Sequence, residues 1–199
     1  MHYLDFFDEI STITLYDPLS EFLGAFEKGL ITFSYLDCVK MAGHSCPTVA
    51  GAYLMAQEGL KALYQGSTPT RGDIEVAFKE AKDEGVTGVM ASVMTFVMGA
   101  GDEGGFKGLS GKYARNHRLH FSTPIHASVK LTRKDTQKSV LMRYDPSSIA
   151  MDPTMMKLMQ ACLSQIALPK EHEDFVRLWQ GRVKTILTHS SEVLRLELC

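Results

Sequence analysis

The sequence predicts an α+β fold in which helices pack on a mainly antiparallel β-sheet. Helix-start signals followed by apolar residues at helical spacing occur near both ends of the chain. Between them, several short segments alternate apolar and polar residues, as half-buried strands do. The length of 199 residues and the apolar fraction of 45% suit a single domain over residues 1–199 with one sizeable core.

The N-terminal part is expected to contain two short helices. Asp17 followed by Pro18 is typical of an N-cap and a first helical turn. Four apolar residues follow at helical spacing, and we expect them to enter the core: Leu19, Phe22, Leu23 and Phe26. Ser34, with Asp37 three residues later, predicts a capping-box start for a helix over residues 34–42.

A short junction, residues 43–48, is expected to separate this helix from the next. Gly43 fits the left-handed residue that closes a helix, and Pro47 suits the first turn of a new one. Cys46 then takes the N-cap position of a helix whose apolar spacing continues through Leu63.

Four segments are expected to form the sheet, at residues 72–80, 115–122, 126–133 and 138–144. The last two predict a hairpin around residues 134–137. On a regular strand over residues 115–122, His117 and His120 would lie on opposite faces, so they would not both reach one site.

Further segments complete the expected fold. Residues 88–98 are almost wholly apolar, and periodicity does not distinguish a buried helix from a buried strand there. An Asp-Pro pair at residues 152–153 predicts the start of a helix that continues to Ile166, and Pro169 predicts the start of a last helix. The alternating tail at residues 193–199 could add an edge strand.

Composition and charge argue against several classes of protein. The net charge of −2 gives no electrostatic reason to expect nucleic acid or an anionic membrane as a partner. No segment reaches the roughly twenty apolar residues that cross a membrane, and the N-terminal segment has acids where a signal peptide has basic residues. Because the cysteines at 38, 46, 162 and 199 show no close-spaced disulfide pattern, we expect a reducing, cytoplasmic location.

His44 and Cys46 are the candidate site residues, both as catalytic groups and as metal ligands. A cysteine at a helix start lies near the positive end of the helix dipole, which favours the thiolate, and the thiolate is both the nucleophile and the metal ligand. His44 is close enough in sequence to bind the same metal or to accept the proton of Cys46. Two ligand-type residues do not define a zinc site, and a capping cysteine beside a solvated histidine is the alternative interpretation.

A glycine-rich segment, residues 99–111, is the second candidate. Its start matches the dinucleotide-binding pattern G-x-G-x-x-G formally, but no suitable helix sequence comes after it, so we reject that interpretation. Its backbone N–H groups could still bind an anionic group, and the candidate residues are Gly104, Gly105, Lys107 and Lys112. We predict that the segment lies against residues 43–48 and closes one side of the site. A close backbone contact or a contact between two copies of the chain is the alternative.

Three segments of the chain carry a family resemblance. They are residues 43–53 (GHSCPTVAGAY), residues 99–121, in which a glycine-rich loop leads into GKYA at 111–114, and residues 175–187 (FVRLWQGRVKTIL). In this order, over about residues 15–190, the chain resembles the formylmethanofuran dehydrogenase FmdE-like family. The resemblance implies a dimeric α+β domain with a metal near His44 and Cys46, and a helix at residues 88–98. Family members often carry a cysteine where this chain has Val86, so the third ligand stays open.

The sequence supports three functional hypotheses. The first is a metal- or cofactor-binding protein with His44 and Cys46 at its site. Zinc is the first expectation because it suits mixed cysteine and histidine ligation, and nickel or iron also fits. The second is an enzyme in which Cys46 is the nucleophile and His44 the base, for thiol, sulfur or acyl transfer. The third is an accessory subunit of an oxidoreductase. The expected partners are a second copy of the chain and a small-molecule ligand.

Overall fold

A computed structural model describes residues 3–199. Residues 1 and 2, part of the N-terminal segment in which we expect no signal peptide, lie outside the described residues. The described part contains seven α-helices and two β-sheets, so the predicted α+β class is confirmed. None of the helices in this part is both long and apolar enough to cross a membrane. The single-domain boundaries stay a prediction.

The smaller sheet lies near the N-terminus and pairs β1 (Ile13–Tyr16) with β2 (Leu30–Phe33) in antiparallel orientation. Neither strand is predicted from the sequence, because such short segments give too little alternation to stand out. The end of β1 positions Asp17, which comes directly after the last residue of this strand and begins the first helix.

The larger sheet contains β3 (Ile74–Phe78), β4 (Leu119–His120), β5 (Val129–Arg133), β6 (Ser139–Tyr144) and β7 (Leu194–Leu198). Their order is β4-β3-β5-β6-β7, and all neighbours are antiparallel except β3 and β4, which are parallel. The β5–β6 hairpin and the C-terminal edge strand β7 are therefore confirmed, and the sheet predicted to be mainly antiparallel is a mixed one with a single parallel pair among its described strands. Val76 illustrates the register, because it pairs with Leu119 on one side and with Leu131 on the other.

The helices are α1 (Pro18–Leu23), α2 (Tyr35–Ala42), α3 (Pro47–Tyr64), α4 (Thr87–Met98), α5 (Met155–Leu163), α6 (Pro169–Thr188) and α7 (Ser190–Val193). The predicted capping box is present, because the Ser34 side chain accepts the Asp37 N–H and the Asp37 carboxylate accepts the Ser34 N–H. Gly43 closes α2 with a left-handed φ of 77°, as predicted. Residues 88–98 form the helix α4, which the family resemblance implies.

The helix α3 is the centre of the core. It packs on α2, α4 and α6 and on the strands β6 and β7, so it is buried along most of its length. Glycine allows two close contacts of α3 with the sheet, since a Cβ at Gly51 would overlap the ring of Tyr144 in β6 and a Cβ at Gly59 would lie 2.6 Å from Leu131 Cδ1 in β5. The N-terminal end of α3 is thereby held at a fixed place against the sheet.

The predicted strand at residues 115–122 is wrong over most of its length. Only β4 within it is a strand. Before β4 the chain turns toward the glycine-rich segment, where the Arg115 N–H donates to Phe106 O and the Arg115 carbonyl accepts the Gly101 N–H. His117 has a φ of 53°, which is outside the strand region. The placement of the two histidines on opposite faces of one strand therefore does not hold.

The core positions predicted for the first helix are also wrong. Phe22, Leu23 and Phe26 are exposed, with 63% of Phe22 accessible to solvent. The helix α1 is too short to bury a full apolar face, and Phe22 instead stacks on Tyr113 with ring centroids 5.5 Å apart. At the other end of the chain, α5 begins later and ends earlier than predicted, which leaves Ile166 exposed in the loop before α6.

Candidate functional site

Cys46 lies at the start of α3, as predicted. Its backbone is extended, Pro47 takes the first helical position, and the Cys46 Sγ accepts the Val49 N–H at 3.5 Å. The residue is half-buried. The local sequence explains this geometry, because an N-cap residue needs an acceptor for the first N–H groups of its helix and a thiol sulfur can be that acceptor.

His44 is exposed, and its ring is oriented by the backbone that precedes it. The Nδ1 atom lies 2.9 Å from the Ala42 carbonyl oxygen. Because a carbonyl oxygen only accepts, Nδ1 carries the proton in this hydrogen bond, and the lone pair of a neutral ring is then on Nε2. His44 therefore has one defined nitrogen for a ligand or for a proton.

Ser45, between the two candidate residues, is the most firmly held part of the junction. Its Oγ donates to the Gln180 side chain and lies 2.9 Å from the Tyr35 hydroxyl. Its carbonyl oxygen accepts from Trp179 Nε1 at 3.0 Å and from Gln180 Nε2 at 3.2 Å. These contacts with α6 fix the path of the backbone between His44 and Cys46. They are not predictable from the sequence, since the partners lie far apart along the chain.

Two tyrosines complete the surroundings of Cys46. The Tyr144 hydroxyl donates to the Pro47 carbonyl at 2.6 Å, and the Tyr35 hydroxyl contacts Ser45. Burial raises the pKa of both phenols, and negative charge on Cys46 raises it further. Both phenols therefore stay protonated at neutral pH and give the junction polar, uncharged walls.

His44 and Cys46 alone supply fewer protein ligands than a zinc site needs. Among residues 3–199, no group of three or more His, Cys, Asp or Glu side chains is placed to hold a metal ion. His44 and Cys46 are suitable donor types, but structural zinc sites use four protein ligands and catalytic sites usually three. His117 and His120 are exposed and do not complete such a group. The described residues of one chain therefore do not form a complete zinc site.

The glycine-rich segment lines a different cavity, of about 460 Å³, beside α4 and Met41 of α2. Gly104 and Gly105 border it, but their N–H groups already donate to the Asp102 side chain and to the Asp102 carbonyl. Asp102 also pairs with Lys82 at 2.8 Å. In this arrangement the two glycine N–H groups are used within the segment.

Lys107 and Lys112, the other two residues predicted to bind an anionic group, are exposed and do not line this cavity. Within residues 3–199, no backbone hydrogen bond joins the glycine-rich segment to residues 43–48. The segment bonds instead to residues 115–119, as in the contact of the Arg118 N–H with the Gly101 carbonyl. Its predicted place against the junction stays a prediction.

A buried ion-pair cluster forms where β1 ends, and the sequence gives no signal for it. Asp17 caps α1 by accepting the Leu19 and Ser20 N–H groups, and its carboxylate also accepts from Arg71 Nη1 at 3.0 Å and Arg115 Nη2 at 2.6 Å. Burial acts to raise the pKa of Asp17, but these hydrogen bonds and the two positive charges outweigh it and lower the pKa. Burial lowers the pKa of Arg115, and the negative charge of Asp17 offsets part of this lowering.

No protein-family model matches the chain, and no curated protein sequence matches it. Among solved structures, the chain is similar to the crystal structure of a tungsten formylmethanofuran dehydrogenase FmdE-like protein from Syntrophus aciditrophicus. The TM-score is 0.44 and the identity 16%, over 84% of this chain and 72% of that chain. The similarity concerns the overall fold and does not establish the family.

Proposed function

We propose that the protein binds a transition-metal ion through His44 Nε2 and Cys46 Sγ. The further ligands then come from outside the described residues, either from a second copy of the chain or from a bound small molecule. The observation that carries this proposal is the hydrogen bond from His44 Nδ1 to the Ala42 carbonyl. Metal-binding histidines usually donate their second ring nitrogen to such a partner, which fixes the tautomer and the ring orientation.

Zinc is the first candidate because it accepts mixed imidazole and thiolate ligands, and nickel and iron accept the same pair. A bound metal of this kind acts as a Lewis acid toward a small molecule in an open coordination position. The chain contributes a half-buried position next to protonated phenols, and contacts with α6 keep the two ligand residues at a fixed separation.

Metal content per chain tests the proposal. We expect His44→Ala and Cys46→Ser each to remove most of the metal from gently purified protein, and the double variant to lose little more, because the two ligands act on one ion. Cys162→Ser is the matched control, since Cys162 is also half-buried but lies on α5. Circular dichroism verifies folding. If folded Cys46→Ser keeps the full metal content of the wild type, the proposal is wrong.

A second function is favoured by the position of the Cys46 sulfur at the start of α3. It lies at the start of an 18-residue helix and accepts a backbone N–H, which suits a nucleophilic thiolate. Cys38 is the internal control for alkylation, because burial and then the charge of Asp37 raise the pKa of its thiol to about 12. Mass spectrometry can measure the alkylation of Cys46 before and after metal removal. Equally fast alkylation in the two states would favour a nucleophilic role of Cys46 over a role as metal ligand.

We also propose that the protein is a homodimer with a cytoplasmic location. The end of α5 and the loop after it expose apolar residues that lie close together in the sequence, with Leu163 70%, Ile166 75% and Leu168 66% accessible. Surfaces of this kind are typical of interfaces rather than of isolated chains. Sedimentation at micromolar concentration should show a species of about twice the 22.1 kDa chain mass. A single species at the chain mass would contradict the dimer, and Ile166→Lys should shift a real dimer toward that mass.

A further inference from the structure

A cavity of about 320 Å³ lies where the start of α1, residues 70–73 and residues 111–118 meet. Neither His44 nor Cys46 lines it. Four cationic side chains and one carboxylate do: Arg71, Arg115, Arg118, Lys134 and Asp73. Its volume is in the range of small-molecule sites.

The charges around this cavity are not balanced. The single carboxylate of Asp17 forms ion pairs with two guanidinium groups, those of Arg71 and Arg115. Arg118 Nη1 lies 3.6 Å from Glu75, and Lys134 forms no ion pair within residues 3–199. The cavity and its paired carboxylates together carry one net positive charge, so an anion is favoured over a cation or a neutral ligand.

Two guanidinium nitrogens at the cavity are buried without an acceptor. They are Arg115 Nη1 and Arg118 Nε, which have no hydrogen-bond partner within residues 3–199. The side chains of these residues are only 9% and 16% exposed. Arginine keeps its charge and can only donate, and buried donors almost always have an acceptor. Two such donors three residues apart leave N–H groups beside the cavity for which residues 3–199 supply no acceptor.

The position of Arg115 is fixed before any ligand binds. Asp17 holds Nη2, and Nη1 passes so close to Gly72 that a Cβ there would overlap it. A Cβ at Gly99 would lie 3.0 Å from the same nitrogen. Both glycines have positive φ, of 84° and 68°. The guanidinium therefore lies in a space that only glycine leaves open, which limits the conformational cost of binding.

We infer that this cavity binds a small oxyanion, a carboxylate or phosphate group of a metabolite, with Arg118 and Lys134 as contacts and Arg115 as the buried charge behind them. The planar guanidinium fork matches the geometry of both carboxylate and phosphate. The site is independent of the proposed metal site, because it shares no residue with the junction.

Isothermal titration with inorganic phosphate and, separately, with malonate tests the inference and distinguishes the two anion classes. The wild type should bind at least one of them saturably, and more weakly at higher salt. Arg118→Gln should weaken that binding about tenfold or more, and Lys134→Gln should weaken it less. Lys107→Gln is the matched control, since Lys107 is an exposed lysine of the glycine-rich segment that does not line the cavity. Cys46→Ser should bind the anion as the wild type does.

Two outcomes would overturn the inference. One is the absence of saturable binding of both anions up to about 10 mM, where millimolar affinity would still be visible. The other is equal binding by Lys134→Gln and Lys107→Gln in folded protein, as judged by circular dichroism. If Arg118→Gln fails to fold, the comparison of the two lysine variants decides, because Lys134 is only half-buried and its loss leaves the Asp17 ion pairs intact.

Discussion

Replacing Asp17 with alanine is expected to lower the free energy of unfolding by about 3–5 kcal/mol. The substitution removes the cap of α1 and leaves two guanidinium groups without their shared carboxylate. The energetic cost of losing the carboxylate is largest at Arg115, because its side chain is only 9% exposed and one of its nitrogens already has no partner within residues 3–199. An uncompensated buried charge costs far more than a lost surface ion pair. Urea denaturation of wild type and variant measures the difference.

Asp145→Ala is the matched control for this prediction. Asp145 also precedes a proline and also accepts the N–H two residues later, but it is exposed and pairs with no arginine within residues 3–199. We expect a clearly smaller loss of stability, that of a cap alone. Similar losses in the two variants would show that the arginine pairs around Asp17 contribute nothing.

The same carboxylate makes stability depend on pH. The pKa of Asp17 is lowered in the folded protein, so its ionised form stabilises the fold at pH values above its ordinary pKa of about 3.9. That stabilisation is lost as the pH falls through the lower folded-state value. Asp17→Asn should therefore show a flatter decline of melting temperature below about pH 4 than the wild type does.

Gly51→Ala is expected to destabilise the protein by about 1–3 kcal/mol. The new Cβ would overlap the ring of Tyr144, which must then move from its place against α3. The gain in helix propensity from replacing glycine offsets only part of this cost. Thermal or urea denaturation measures the change, and the rate of Cys46 alkylation should rise, because the Tyr144 hydrogen bond to Pro47 is lost with the ring position.

Gly181→Ala makes the same chemical change and is expected to have the opposite effect on stability. Gly181 lies within α6, is exposed, and has nothing within 4 Å of an added Cβ. We expect it to stabilise the protein by about 0.5–1 kcal/mol and to leave the alkylation of Cys46 unchanged. If both variants changed stability in the same direction, the contact of Gly51 with Tyr144 would not be the cause.

The elements that the sequence predicts well depend on local chemistry. Ser34 and Asp37 satisfy each other's backbone within one helical turn, and Gly43 and Pro47 fit their positions through backbone preference alone. The C-terminal edge strand β7 is likewise predicted from local alternation. Such signals need no information about the rest of the chain, so a pattern is enough to place them.

The elements that are missed depend on partners far along the chain. The alternation at residues 115–122 resembles a strand, but the residues before β4 bond to the glycine-rich segment, and Arg115 turns inward toward Asp17, 98 residues away. The apolar spacing after Asp17 likewise predicts burial for Phe22, which is exposed on α1. The cation-lined cavity results from these long-range contacts, so no local pattern in the sequence indicates that Arg118 and Lys134 line one cavity.

The hydrogen bonds that hold the Ser45 carbonyl also set an order of assembly. Their donors, Trp179 and Gln180, come 134 and 135 residues later in the chain. During synthesis, which proceeds at about 5–20 residues per second, the N-terminal helices emerge well before α6 exists. The junction between α2 and α3 therefore reaches its final geometry only when the last long helix has left the ribosome and docked. A nascent chain carries Cys46 for several seconds without the contacts that will fix its position, so the emergence of α6 controls when this thiol becomes a defined site.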